Sequence, residues 1–180
     1  MKKKKSFINR IYRQKDIEKI NSKIEQFGVS KKFTTEYFMN FRLLTSIMIF
    51  LISFFTINNG PILSPIITVL WYILVNYFMI DLPLRKRERK LNNESYYYFE
   101  VLTLALESGR NLENAIKMAC KYIDSEISSE FKETLKQVNY GKSLAESLSL
   151  MSNRIPSLTI NNIILNMQQS NLFGNSIIET

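Results

Sequence analysis

Between Leu43 and Ile80 the chain carries no charged residue. The stretch opens as LLTSIMIFLISFFTI, fifteen residues from Leu43 to Ile57, breaks at Asn58-Asn59-Gly60-Pro61, and resumes as an apolar run from Ile62 to Ile80. As an α-helix the second run rises about 28 Å, close to the hydrocarbon thickness of a bilayer. The first rises only about 22 Å. Its start is therefore expected earlier, near Tyr37, with Arg42 in the first turns snorkelling to the headgroups. The alternative is a pair of buried core helices in a soluble protein, but so long a charge-free stretch broken by one polar turn is rare there. Pro61 and Pro65 fall where a first helical turn has no internal donors to lose. Trp71 lies too deep for an interfacial anchor and is expected between helices, whereas Tyr37, Phe38 and Phe41 suit an aromatic belt.

Charge sets the orientation. The mean hydropathy of −0.09 resembles that of a soluble protein, but it averages unequal parts. Residues 1–42 carry a net charge of +8, residues 81–90 carry +3 and residues 91–180 carry −3. Lys2 to Lys5, Lys31, Lys32 and Arg42 precede the first span; Arg85, Lys86, Arg87, Arg89 and Lys90 follow the second. The positive-inside rule then puts both ends in the cytoplasm and Asn58–Gly60 outside. A basic stripe beside an apolar block reads as membrane topology rather than as a nucleic-acid surface.

No apolar run follows the basic start until residue 43, so residues 1–36 are not a cleaved signal peptide. Ile17, Ile20, Ile24 and Phe27 recur at helical spacing among Lys15, Lys19 and Lys23, and Gly28 stops the pattern. Two readings stay open: a short amphipathic helix on anionic membrane lipids, or a partly disordered basic tail.

The chain has no His and a single Cys. Histidine metal sites, Ser-His or Cys-His catalysis and a phosphorylatable His are therefore excluded. Cys120 falls at an inward helical position and reads as a small core residue. Asp124, Glu126, Glu130 and Glu133 read as a solvated helix face. Gly141-Lys142-Ser143 has the tail of a phosphate-binding loop, but the required earlier glycine is Lys136 and the preceding residues are helical in pattern. No catalytic, cofactor or metal residue is assigned.

Residues 93–180 read as helices throughout. Tyr96–Leu106 is apolar nearly all round, with Glu100, Thr103 and Glu107 as a narrow polar stripe. Leu112, Ala115, Ile116, Ala119 and Ile123 form one face; Ile127, Phe131, Leu135 and Val138 a third helix; Leu144, Leu148 and Met151 a fourth. After the break at Pro156, Ser157 caps a fifth helix carrying Ile160, Ile163, Ile164 and Met167. Three junctions share one grammar: Gly109-Arg110-Asn111-Leu112, Gly141-Lys142-Ser143-Leu144 and Gly174-Asn175-Ser176-Ile177. Each glycine is expected to end a helix in the left-handed conformation, and Asn111, Ser143 or Ser176 to cap the next. Two-residue turns make neighbours antiparallel, hence a compact bundle rather than a solenoid. The expected fold is all-α: a basic N-terminal segment (1–36), a two-span transmembrane helical hairpin (37–81), a basic juxtamembrane linker (82–92) and a cytoplasmic antiparallel helical bundle (93–180). Since a helix begun at Ser176 would be only four residues old at Thr180, that bundle is expected to be incomplete.

The hairpin, the basic stretch, ESYYYFEVLTLALESGRNLENAIKMACKYI, YGKSLAESLSLMSNRIPS and MQQSNLFGNSIIET together resemble the type II secretion system F family, most closely the platform proteins of the tight-adherence (Tad) pilus. The matching parts are Leu102–Ile116, Gly141–Leu148, Arg154-Ile155-Pro156 and Gln168–Ile177, with Ser128-Ser129-Glu130-Phe131-Lys132 between, over roughly residues 35–180. The resemblance implies a non-enzymatic platform in the bacterial cytoplasmic membrane. Its partners would be a cytoplasmic assembly ATPase, pilin subunits and a homologous sister subunit or a second copy, with no nucleic acid. The competing class is a membrane-anchored helical interaction or regulatory protein unrelated to secretion.

Overall fold

The computed structural model of the chain describes residues 13–30, 34–56 and 60–178, and every regular element among them is helical. In order these are α1 (Gln14–Glu25), a 3-10 turn (Gly28–Ser30), α2 (Thr35–Thr56), α3 (Gly60–Asn76), a π-helical turn (Tyr77–Asp81), α4 (Leu82–Glu107), α5 (Leu112–Tyr122), α6 (Glu126–Asn139), α7 (Leu144–Ser152) and α8 (Leu158–Ile178). Two compact units emerge: Met1–Ile24 with Lys31–Leu84, and Glu25–Ser30 with Arg85–Thr180. Lys2 to Lys5, Lys31, Lys32, Asn58 and Asn59 lie outside the described residues.

In the first unit α2 and α3 pack together as a hairpin. α2 and the longer helical stretch Pro61–Glu107, which α3 opens, are long and apolar enough to cross a membrane, and only 22% and 11% of their most apolar windows are buried by protein. The core helix of a soluble protein is mostly covered; these leave Leu44, Met48, Phe55, Ile62, Ile66 and Val69 exposed. Five of their hydroxyls bond to carbonyls within the helices, which suits an apolar medium. Thr45 donates to the Phe41 carbonyl, Ser46 to Arg42, Ser53 to Phe50, Thr56 to Ile52 and Thr68 to Ser64. Buried Ser53 and Ser64 are small residues of the kind that let apolar helices approach closely.

Several expectations are corrected here. Arg42 does not snorkel: it is 4% exposed, with its guanidinium carbon 4.2 Å from the Tyr72 ring centroid and 5.3 Å from that of Phe38. Stacking on two aromatic faces replaces part of the hydration the cation gives up. Phe38 is buried and is no belt residue, whereas Tyr37 and Phe41 are exposed and stacked on one another. Pro65 lies inside α3, one turn past the donor-free start, and forfeits one helical bond. The N-terminal segment does form an amphipathic helix, but Ile20 and Ile24 are buried within the protein rather than offered to lipid. Lys23 ion-pairs with Asp81 at 2.5 Å, and Thr35 donates to the Asn21 amide oxygen at 2.9 Å.

Residues 82–92, expected as a linker, are helix: one helical stretch runs from Pro61 to Glu107. Pro83 explains the π-turn within it. In α-geometry its ring would clash with the carbonyl four residues back, at Met79. Widening the coil, with the Leu82 N–H donating to the Tyr77 carbonyl five residues back, relieves that clash without ending the helix.

In the second unit α5 to α8 pack in chain order. Their core joins Leu91, Tyr98, Leu102 and Ala105 of α4 to Ile116, Phe131, Leu148, Met151 and Ile160. Tyr98 stacks on Phe131 with centroids 4.7 Å apart, and its hydroxyl lies 3.3 Å from the Cys120 sulfur. Burial, with the Cys120 thiol beside it, pushes the Tyr98 hydroxyl pKa well above its ordinary value. Tyr96, Tyr97 and Leu104 are exposed, so α4 is covered on one face rather than all round.

Gly141 has φ 93°, the Gly141 N–H donates to the Val138 carbonyl and the Lys142 N–H to that of Gln137. This 5→2 and 6→1 pair closes α6. Ser143 then accepts from the Glu146 N–H, and Asn111 accepts from the Asn114 N–H after Gly109 (φ 82°). The third junction differs. α8 runs through Gly174 and Ser176 to Ile178, so neither residue ends or starts a helix. Glycine weakens a helix interior by only about 1 kcal/mol, too little to stop it. A Cβ at Gly141 would meet nothing within 4 Å, so Gly141→Val carries backbone strain alone. Its expected loss is about 1–2 kcal/mol, read as a shift of the denaturation midpoint, with ATP binding undetectable before and after.

Candidate functional site

Residues 127, 130, 131 and 134 share one face of α6 by helical spacing, and three of them are Ile127, Phe131 and Thr134, all buried. The fourth is Glu130, 2% exposed. A carboxylate on a core face requires opposite charge and hydrogen-bond donors around it, and the fold supplies both. Arg87 of α4, 8% exposed, donates from Nη2 to Glu130 Oε1 at 2.8 Å. Its Nε donates to Glu126 Oε1 at 2.6 Å. Its Nη1 donates to the Gln26 carbonyl at 2.5 Å and the Arg154 carbonyl at 2.7 Å. Arg154, just past α7, donates from Nε to Glu130 Oε2 at 2.8 Å.

The sequence segment closing this cluster is remote. The Val29 N–H donates to Glu130 Oε1 at 2.9 Å across 101 residues of chain. Gly28 makes the approach geometrically feasible: φ is 70°, and a Cβ there would overlap Glu130 Oε1 and Arg87 Nη2. Residues 25–30 are thus a strap seated on α4 and α6.

Beside the cluster lies an open cleft of about 370 Å³, lined by Val29, Lys90, Glu94, Asp124, Ser125, Glu126, Ser129 and Glu130. Lys90 bridges Glu126 at 3.2 Å and Glu94 at 3.7 Å. The hydrogen bond and charge of Glu126, then the charge of Glu94, raise its pKa above the usual lysine value. Glu94 also accepts from the Glu126 N–H at 2.8 Å, placing a carboxylate at the positive N-terminal end of α6. Two guanidiniums and two carboxylates balance, and each member is held by another. Chemically the arrangement clasps; what it does is fix α4, α6, the end of α7 and the strap together.

Of the topology residues expected at the membrane surface, Arg85, Lys86 and Arg89 are exposed, but Arg87 is corrected to the centre of the cluster and Lys90 to its rim. Glu126 and Glu130, expected on a solvated face, are corrected with them. The spacing that put Glu130 among Ile127, Phe131 and Thr134 was a readable signal.

The comparisons address this unit. Residues 98–179 match the family model for type II secretion system (T2SS) protein F. No curated protein and no solved structure matches the chain. The match takes in Glu126, Glu130, Arg154 and the Gly109 and Gly141 junctions, while Arg87 and the strap lie before it. The matched residues thus begin within α4 and take in α5 to α8, the helices that pack in order around one core.

Proposed function

We propose that the chain is a non-enzymatic membrane platform subunit of a type II secretion-like or Tad pilus assembly machine. Its F domain would meet a cytoplasmic assembly ATPase and couple that motor to pilin extraction, beside a sister subunit or second copy. The observation that carries this reading is the family match on a helical bundle that follows two apolar helices left uncovered by protein. The clasp gives the role a physical basis, because a domain that transmits displacement must not yield internally, and a buried, multiply bonded charge cluster resists small shears.

The flanking positive clusters put the F domain and the N-terminus in the cytoplasm. In a Cys120→Ser background, Asn58→Cys is expected to react with a membrane-impermeant thiol reagent added to intact cells, and Lys90→Cys only after permeabilisation. Reaction of residue 90 from outside sinks the orientation. For the role itself, deleting the gene is expected to abolish surface pilus or secretion, and the assembly ATPase to co-purify with the intact chain. Normal assembly in the deletion strain returns the chain to the class of anchored interaction proteins.

A further inference from the structure

Charge in the helical bundle is almost all paired at short range. From Glu94 to Arg154 nearly every charged side chain meets an opposite charge within 3.8 Å. Among the described residues of that stretch the exceptions are Glu100 and Glu107 on α4, Arg110 in the turn after it, and Lys121 on α5. The two carboxylates share one face of α4 with apolar neighbours. Tyr96, Glu107, Glu100, Leu104 and Tyr97 fall within about 100° of arc around the helix. All are exposed, Tyr96 at 70%, Tyr97 at 67% and Leu104 at 60%. The face opposite, with Tyr98, Leu102 and Ala105, is buried.

The two cations lie on one cleft of about 340 Å³, lined by Arg110, Asn114, Lys117, Met118, Lys121 and Tyr122. Arg110 stands before the start of α5 and Lys121 in its last turn. Lys117, between them, is paired with Glu113 at 2.5 Å. The cleft therefore presents two unpaired positive charges, and its lining contains no carboxylate. Met118 is half-buried and Tyr122 is 66% exposed, which gives the basic stripe an apolar edge. The inner face of α5, with Ala115, Ile116 and Ala119, is buried.

We propose that a second copy of this chain covers these faces, the α4 stripe of one copy lying on the α5 cleft of the other. Glu100 and Glu107 are two turns apart, about 10.5 Å along α4, and between them meet Arg110 and Lys121. Tyr96, Tyr97 and Leu104 pack against Met118 and Tyr122. The apolar contact supplies most of the attraction, while the charges fix partner and register. A foreign acidic partner satisfies the cleft but leaves the α4 carboxylates bare, whereas a second copy offers a match for both. An anionic bilayer does not suit the α4 stripe, because its carboxylates repel lipid phosphates. The interface gives the second copy a surface and stands on the bundle alone, not on the secretion role.

The test is cross-linking of the full chain in detergent micelles by a short bismaleimide, in a Cys120→Ser background. Thr103→Cys on the α4 stripe and Asn114→Cys in the α5 cleft are exposed positions that leave the charges in place. Co-expressed, these two chains are expected to form a covalent dimer. Glu100→Lys with Glu107→Lys, introduced in both chains, is expected to cut the yield about tenfold, because like charges then face one another. Arg110→Glu with Lys121→Glu is expected to do the same. Chains carrying all four reversals restore opposite charges across the contact and are expected to recover the parent yield. Lys136→Gln, outside both faces, is expected to change nothing. No cross-link between the parent pair, or yields unmoved by either reversal, overturns the proposal. Failure of the fourfold reversal to recover, in a chain that melts as the parent does, assigns the faces to a foreign partner and overturns the second copy. A deletion strain that still assembles pili would instead remove the secretion role and leave this interface standing.

Discussion

Glu130→Ala is expected to lower the stability of the second unit's helical bundle by about 3–5 kcal/mol. The change removes both carboxylate oxygens that Arg87, Arg154 and the Val29 N–H share. What remains is a guanidinium 7% exposed in its side chain and another at 18%, each deprived of the Glu130 carboxylate. Most of the loss comes from stranding those cations rather than from the attraction that disappears. Exposed pairs set the contrast. Lys136–Glu133 and Lys142–Glu146 are solvated, and Glu133→Ala is expected to change stability by no more than about 0.5 kcal/mol. Cys120 provides the measurement, being the single cysteine and buried in the bundle core. When reclosing outpaces reaction, its thiol-labelling rate follows the population of the opened domain. The loss corresponds to labelling faster by between about a hundredfold and several thousandfold. Arg87→Ala is expected to behave similarly, and the double variant to fall well short of the sum. Equal labelling in Glu130→Ala and Glu133→Ala would leave the cluster without a structural role.

Where residues acted through local geometry, they were legible. The uncharged block and its polar break gave the hairpin, because length and charge decide what a bilayer accepts. Gly141 and Ser143 gave a helix end and a cap through bonds within five residues of one another. Gly174-Asn175-Ser176 repeats that grammar inside a helix that continues. A stop signal makes ending inexpensive; it does not make continuing costly.

The charged residues were legible only in part, since their roles depend on partners distant in sequence. Arg87 in the run RKRERK looks like its neighbours, and only its rotation around α4 selects it for burial while Arg85, Lys86 and Arg89 stay exposed. Arg42 was placed at a membrane edge by its position, but its depth is set by Phe38 and Tyr72. Glu130 was read as part of a solvated face, although its register with Ile127, Phe131 and Thr134 carried the signal of a buried carboxylate needing partners. What the register could not supply was which cations, out of 24 Lys and Arg, would come to it. Gly28 carried a signal too, as the residue stopping the α1 pattern, yet nothing local says that the chain beyond it docks 101 residues away.

Gly28 is where that long-range closure is most exposed to test. At Gly141 a side chain enters open space, but at Gly28 it meets Glu130 Oε1 and Arg87 Nη2. Those are side-chain ends, which ordinarily swing aside at little cost. Here they are pinned: Glu130 accepts from Arg87, Arg154 and Val29, and Arg87 makes four hydrogen bonds of its own. Gly28→Ala must therefore either lift the strap, losing the charge-assisted Val29 bond, or distort the cluster. Left-handed strain adds about 1–2 kcal/mol and a hydrogen bond to a charged group about 1.5–3 kcal/mol. The expected total is about 3 kcal/mol or more, against about 1–2 kcal/mol for Gly141→Ala. Coupling separates this account from generic backbone strain. In a Glu130→Ala background one of the three atoms within 3 Å of the new Cβ is absent, the Val29 bond is already lost and Arg87 is held by one bond fewer. Part of the Gly28→Ala loss is then already incurred, so the two substitutions combine to less than their sum. Cys120 labelling reads all four members of that cycle, and limited proteolysis between residues 25 and 30 reads the strap directly. Strict additivity, or equal losses at Gly28 and Gly141, would mean that the strap rests against the bundle without being locked to it.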